Sequence, residues 1–188
     1  MKNLAYIKIY PSKKTTVILL ICGAVLFIPV YIFNLVHGTK ALDLITITNL
    51  LMAFDAGVFM SIIREIEGNA GLKALFNMYL LNIVSTFGFL LFGSALSLII
   101  ARSIKRPVLE KIGYSVPICI SFACVIDLCT SVLFLCIARD PGIVSAWMVM
   151  AVGISYVTRY LILSAALLWI AVWGTMLTVR NILRIIGR

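Results

Sequence analysis

Two stretches of this chain, Thr15–Thr39 and Ala74–Ala101, contain no Asp, Glu, Lys or Arg. A helix crosses a hydrocarbon core of about 30 Å with about 20 apolar residues. Both stretches exceed that length, and a small water-soluble globule has nowhere to bury them. The whole chain repeats the constraint: 63% of its 188 residues are hydrophobic and 12% charged, against roughly 45–50% and about 25% in soluble domains. Soluble enzymes and disordered proteins are excluded. The expected class is an all-α integral membrane protein, a compact bundle of four to five transmembrane helices.

Five apolar segments are read at about 15–36, 42–63, 74–101, 113–138 and 143–179. They are joined by short turns at His37-Gly38, Gly68-Asn69-Ala70-Gly71, Arg106-Pro107 and Asp140-Pro141-Gly142. Residues 1–188 are therefore expected to form a single transmembrane domain with short basic ends and no soluble domain. Lys2, Lys8, Lys13 and Lys14 precede the first run as in a signal peptide, but the run is long and no small-x-small site follows it. An uncleaved first helix is the better reading.

The distribution of positive charge decides between four and five crossings. With five crossings and an internal N-terminus, seven flanking Lys and Arg fall inside and eight outside, and the dense cluster Arg102, Lys105, Arg106 and Lys111 is exported. If segment 42–63 is re-entrant or interfacial, eleven fall inside and only Lys40, Arg64, Lys73 and Arg139 outside. Four crossings are favoured, with both termini cytoplasmic in what is expected to be a bacterial inner membrane; a plain fifth crossing remains the alternative. Segment 42–63 is also the most polar, with Asp43, Thr46, Thr48, Asn49 and Asp55. Asp43 suits a helix cap, which leaves Asp55 as the candidate inward-facing acid.

The last segment reads as one tilted crossing. Trp147 stands near one interface, and Trp169 with Trp173 near the other. Beyond them Arg180, Arg184 and Arg188 recur at i, i+4 and i+8, opposite Ile182, Leu183 and Ile186. These three arginines, with Lys105 and Arg106, are the expected contacts for anionic lipid.

Asp127 and Arg159 are the charges that hydropathy least expects. Each falls near mid-membrane on two segments joined by the Arg139–Gly142 turn, which makes their helices antiparallel neighbours. Counted from Asp140, they are offset by about six residues, or roughly 9 Å along the axis. A structural ion pair, a solute or proton pathway, and a partner's charge completing the set are the three readings. Small residues at Ala53, Gly57 and Ser61, and at Gly93, Ser97 and Ala101, follow helix-packing spacing. Asn34, Asn49, Asn77 and Asn82 offer interhelical hydrogen bonds.

Chemistry is sparsely encoded. Cys22, Cys119, Cys124, Cys129 and Cys136 lie in apolar runs without a C-x-x-C pair, so they read as small apolar fillers rather than as a quinone-linked thiol centre. The lone His37 reads as an interfacial residue. No nucleophile–base pair, phosphate loop or metal motif is legible. The net charge of +9 sits in segments flanking apolar runs, which argues for lipid and against nucleic acid. The expectation is a protein that is not an enzyme, with no catalytic, cofactor-binding or metal-binding residues. Its expected partners are the bilayer and other membrane subunits or further copies of itself. It would serve as a component of a secretion or conjugation, immunity or exclusion, or transport assembly. The alternative is a small oligomeric channel or transporter with a polar path at Asp55, Asp127 and Arg159.

Topology reporters test the four-crossing arrangement. Fusions after Lys14, near Arg106 and at Arg188 are expected to report one face, and a fusion near Gly68 the other. An Arg106 reporter on the Gly68 side would make segment 42–63 a crossing helix.

Overall fold

The computed structural model describes residues 11–41, 44–68, 71–104 and 106–186. Every regular element among them is helical: α1 (Lys13–Ala41), α2 (Leu44–Leu51), α3 (Ala56–Gly68), α4 (Leu72–Ser103), α5 (Pro107–Arg139), a 3-10 turn (Pro141–Ile143) and α6 (Ala146–Ile186). Stretches of α1, α4, α5 and α6 are long and apolar enough to cross a membrane. Asp43, Lys105 and Arg188 lie outside the described residues, as do the side chains of His37 and Arg184.

Local chemistry starts and stops these helices. Ser12 precedes α1 and its Oγ accepts from the Thr15 amide at 3.2 Å, an N-cap that satisfies one of the open donors of the first turn. Pro107 opens α5, where its missing N–H removes no helical bond. The α5–α6 connection is shaped by Asp140, whose Oδ1 accepts from the Gly142 amide at 3.0 Å and ties the chain into a tight turn.

The four long helices pack antiparallel in chain order. Between α1 and α4, Arg102 donates to Thr16 Oγ1 at 3.0 Å and to the Pro11 carbonyl at 2.7 Å. At the other end of that pair, Asn34 donates to the Met78 carbonyl at 3.3 Å. Midway, Gly23 and Gly88 let the two backbones touch. A Cβ on Gly88 would stand 2.6 Å from the Phe27 nitrogen, and one on Gly23 would strike the Phe92 backbone. Apolar surface gains little by leaving lipid, so such close approach is what holds membrane helices together. Of the two stripes read from sequence, Gly93, Ser97 and Ala101 are all buried. A Cβ on Gly93 would lie 3.3 Å from Ile120 on α5, and Ala101 faces Gly113 of that helix. The other stripe does not exist as a packing face. Ala53 is buried but precedes α3, while Gly57 and Ser61 on α3 are exposed.

Segment 42–63 is broken at Met52–Asp55 into α2 and α3. Eight and thirteen residues give about 12 and 20 Å of helix, too short to cross. The pair closes one end of the bundle. Leu50, Phe59, Ile63 and Ile66 join Leu75 and Tyr79 of α4, Phe134 and Ile137 of α5, and Val149 and Val152 of α6 in the largest buried cluster. Tyr79 stacks on Phe134 with ring centroids 4.3 Å apart. The opposite end is basic. Among the described residues it gathers Lys13, Lys14, Arg102, Arg106, Lys111 and Arg180 with Glu110, whereas the capped end mixes Arg64, Lys73 and Arg139 with Glu65, Glu67 and Asp140.

Helix α6 is continuous through 41 residues, so its basic end is an extension of the long apolar helix itself. Trp147 is 69% exposed, but Trp169 packs against Leu98, Ala101 and Tyr114. Ala101 and Tyr114 stand next to Arg102 and Lys111, so Trp169 keeps the depth expected of it near the basic end, with its ring turned inward onto the bundle.

Gly88→Ala is expected to cost about 1–3 kcal/mol, the usual range for overpacking, and to lower the thermal midpoint in detergent. A Cβ on Gly68 meets nothing within 4 Å, so Gly68→Ala is expected to leave the midpoint unchanged.

Candidate functional site

The polar residues of α4, α5 and α6 meet at one depth. On α4, Asn82 and Thr86 are one turn apart, and on α5 so are Asp127 and Ser131, so each pair lies on one helix face. Asp127 stands at the centre, only 8% exposed. Its Oδ1 contacts Arg159 Nη1 and accepts from Asn82 Nδ2 at 3.2 Å. Its Oδ2 accepts from Thr86 Oγ1 and from Asn82 Nδ2 at 3.1 Å. Asn82 Nδ2 also donates to Ser131 Oγ at 2.9 Å, and the Arg159 guanidinium carbon lies 5.8 Å from the Tyr156 ring centroid.

The axial offset expected between Asp127 and Arg159 is absent, for a reason local to the turn. Asp140–Ser145 form the connection and add nothing to the length of either helix. Asp127 therefore lies twelve residues before the end of α5, and Arg159 thirteen after the start of α6. The two residues are level within about one residue, or roughly 1.5 Å of rise. Side chains on a helix also lean toward its N-terminus, and this brings the long Arg159 side chain back over the preceding turn.

The pair separates two cavities. The larger, about 310 Å³, is lined by residues of α1, α4, α5 and α6, among them Phe27, Tyr31, Thr86, Phe89, Cys124 and Tyr160. The smaller, about 140 Å³, reaches Asn34 on α1 and Ile47 and Leu51 on α2. Asn82, Asp127 and Arg159 line both. Cys124 is buried, and its Sγ lies 3.8 Å from the Thr86 carbonyl; the other four cysteines are exposed.

Asp55 does not belong to this constellation. It is exposed, its Oδ1 accepts from the Val58 amide at 3.0 Å, and it lines neither cavity. The break before α3 supplies the reason: at that position the carboxylate serves the open amides of a helix start. Arg106 and Arg180 are exposed at the basic end, outside the site. Sequence reading picked Asn82 only as one of four amides and passed over Thr86, Ser131 and Tyr156. The usable signal was the pairing of Asn82 with Thr86, and of Asp127 with Ser131, at i and i+4 in apolar segments.

Comparison with protein-family models, curated proteins and solved structures returns no match. What the site can do rests on its geometry.

Breaking a buried pair strands a charge in low dielectric, at about 3–5 kcal/mol by analogy with soluble proteins. Asp127→Asn or Arg159→Gln alone is expected to lower thermal stability in detergent, and the double substitution to recover much of the loss. Strict additivity of the two single effects would show that the residues act independently.

Proposed function

We propose that the protein is a non-enzymatic component of a larger bacterial inner-membrane assembly, anchored with both termini in the cytoplasm and acting through helix–helix association. The observation that carries this reading is the uncovered face of α6. Leu168, Val172, Met176, Val179 and Leu183 are all about half exposed or more. Their spacing of 4, 4, 3 and 4 places them within about 80° of one helix face at 100° per residue. That is the pattern by which an apolar helix presents anchors to a groove or to another helix. The bundle covers its two outer helices least: 6% of the most apolar window of α6 and 11% of that of α1 are buried, against 44% for α4 and 39% for α5, and the α6 face is set apart by its run past α5.

Register adds a second reason. With Gly113 of α5 beside Trp169, the first turn of α5 comes level with about residue 175. The last eleven or so residues of α6 then run roughly 16 Å past it, carrying Met176, Val179 and Leu183 beyond any neighbour on α5. The small-residue stripe at Gly93, Ser97 and Ala101 is occupied by the internal α4–α5 contact, so the partner surface is assigned to α6. The charge asymmetry between the two ends supports the cytoplasmic placement of the basic end. That end also suits anionic headgroups at Arg106 and Arg180.

A second reading, a small-solute pathway, is favoured by the two cavities that share Asn82, Asp127 and Arg159. On this reading the ion pair is the gate, and Asp55 has no part in the path. Solute flux through proteoliposomes holding the purified chain alone would support it.

Photoreactive residues at Val172, Met176, Val179 and Leu183 are expected to give a discrete protein adduct in native membranes, either a second copy or a distinct subunit. The same probe at Ile18 and Ile28 on α1, both exposed, is expected to give none. Adducts with lipid alone at all four α6 positions would defeat the association reading.

A further inference from the structure

Asp127 and Arg159 are unequally served. Asp127 has contacts from three side chains, and both of its oxygens are engaged. Arg159 has Asp127 at Nη1 and the Tyr156 ring nearby. Among the described residues no oxygen accepts from its Nε or Nη2, and with 28% of the side chain exposed the guanidinium opens onto the cavities rather than being sealed in the packing. A guanidinium has five N–H donors, and a donor left without an acceptor in a low-dielectric interior is costly. The charge is already balanced by Asp127, so the acceptor this site lacks is a neutral one.

Arg159 lines the 310 Å³ cavity, whose volume is at the small end for ligand pockets, about 300–1,000 Å³. Arg159 lies 12 residues after Trp147 and 10 before Trp169, about 18 and 15 Å along α6, which places the pair near the middle of a hydrocarbon core about 30 Å thick. Tyr31, Tyr160 and Leu167 on the cavity wall are each about half exposed or more, so the opening faces hydrocarbon. Phospholipid headgroups do not reside at that depth, and acyl chains carry no acceptor there. Phe27 and Phe89, in mutual contact with ring centroids 5.3 Å apart and planes inclined at 57°, line the cavity with the two tyrosines and offer aromatic faces to its interior. A planar ring meets such walls by stacking.

We propose that this cavity binds the head ring of a membrane-soluble carbonyl compound of the prenylated-quinone class. One ring carbonyl accepts from Arg159, the ring lies among Phe27, Phe89, Tyr31 and Tyr160, and the tail leaves past Leu167 into the bilayer. The inference concerns binding alone, and it rests neither on the α6 stripe nor on a conducting path.

The test uses the full chain in lipid nanodiscs with a decyl-tailed benzoquinone as probe and decylbenzene, which has no carbonyl, as control. The quinone is expected to bind saturably at one per chain, and decylbenzene not to compete. Ser164 is an exposed α6 residue on the cavity wall, so Ser164→Phe fills the cavity without removing the ion pair. It is expected to weaken binding at least tenfold with an unchanged melting temperature. Should that variant fail to fold, an azido-quinone on the unmodified chain replaces it, with adducts expected on peptides holding Tyr31, Phe89 or Tyr160. Equal, non-saturable partition of quinone and decylbenzene would overturn the proposal, as would tight binding indifferent to Ser164→Phe, or labelling confined to other peptides.

Discussion

An ionised carboxylate at the depth of Asp127 is tolerable only if its charge is answered inside the protein. The answer comes from α4 and α6 at once. Asn82 and Thr86 bring hydrogen bonds and Arg159 brings the opposite charge, so three helices must hold one register for the site to close. A slip of one turn along α4 would carry Asn82 and Thr86 about 5.4 Å from the carboxylate. The six-residue connection Asp140–Ser145, tightened by the Asp140 turn, sets the register of α5 against α6. The polar cluster thereby specifies a unique arrangement for helices whose apolar surfaces would tolerate many.

The first helix is attached by a different physical means. Among the described residues it shares no bond with Asp127, and its hold on α4 comes from contact between backbones at Gly23 and Gly88 and from polar ties at either end. Apolar side chains gain little by meeting one another in lipid, so backbone approach and hydrogen bonds supply the specificity. Phe27 and Tyr31 of α1 thereby come to wall the larger cavity. The cavity thus depends on both modes of attachment, polar between α4, α5 and α6, and close-packed between α1 and α4.

The two short helices give the bundle its asymmetry. Their buried residues cover the end where α4 starts, α5 stops and α6 starts, while the opposite end is left to basic side chains. Helix α6 crosses from the covered end to the basic one and continues past its neighbour on an uninterrupted backbone. The exposure of Met176, Val179 and Leu183 follows from that excess length, because α5 does not reach them; Leu168 and Val172 lie alongside α5 but on the side of α6 turned away from the bundle.

Much of this was legible in the sequence because the bilayer simplifies the problem. Uncharged runs longer than the hydrocarbon core leave helices as the available spanning structure for such segments, and the clustering of Lys and Arg separated one polar segment from four apolar ones. Asp127 and Arg159 were conspicuous because charge is rare in such runs. The errors share one origin, which is that periodicity was carried through residues that are not helical. The Ala53-Gly57-Ser61 stripe crosses the break before α3, the assignment of Asp55 as an inward acid ignored the helix start beside it, and the 9 Å offset counted a turn as helix. What the sequence by itself determined is the all-helical architecture, the four helices long and apolar enough to cross a membrane, and the charges that had to find partners, all of which follow from the length and apolar content of the uncharged runs. Tertiary structure alone decided which polar neighbours answer Asp127, which glycines touch and where cavities remain. Those outcomes depend on rotation and register between helices, and local composition does not encode them.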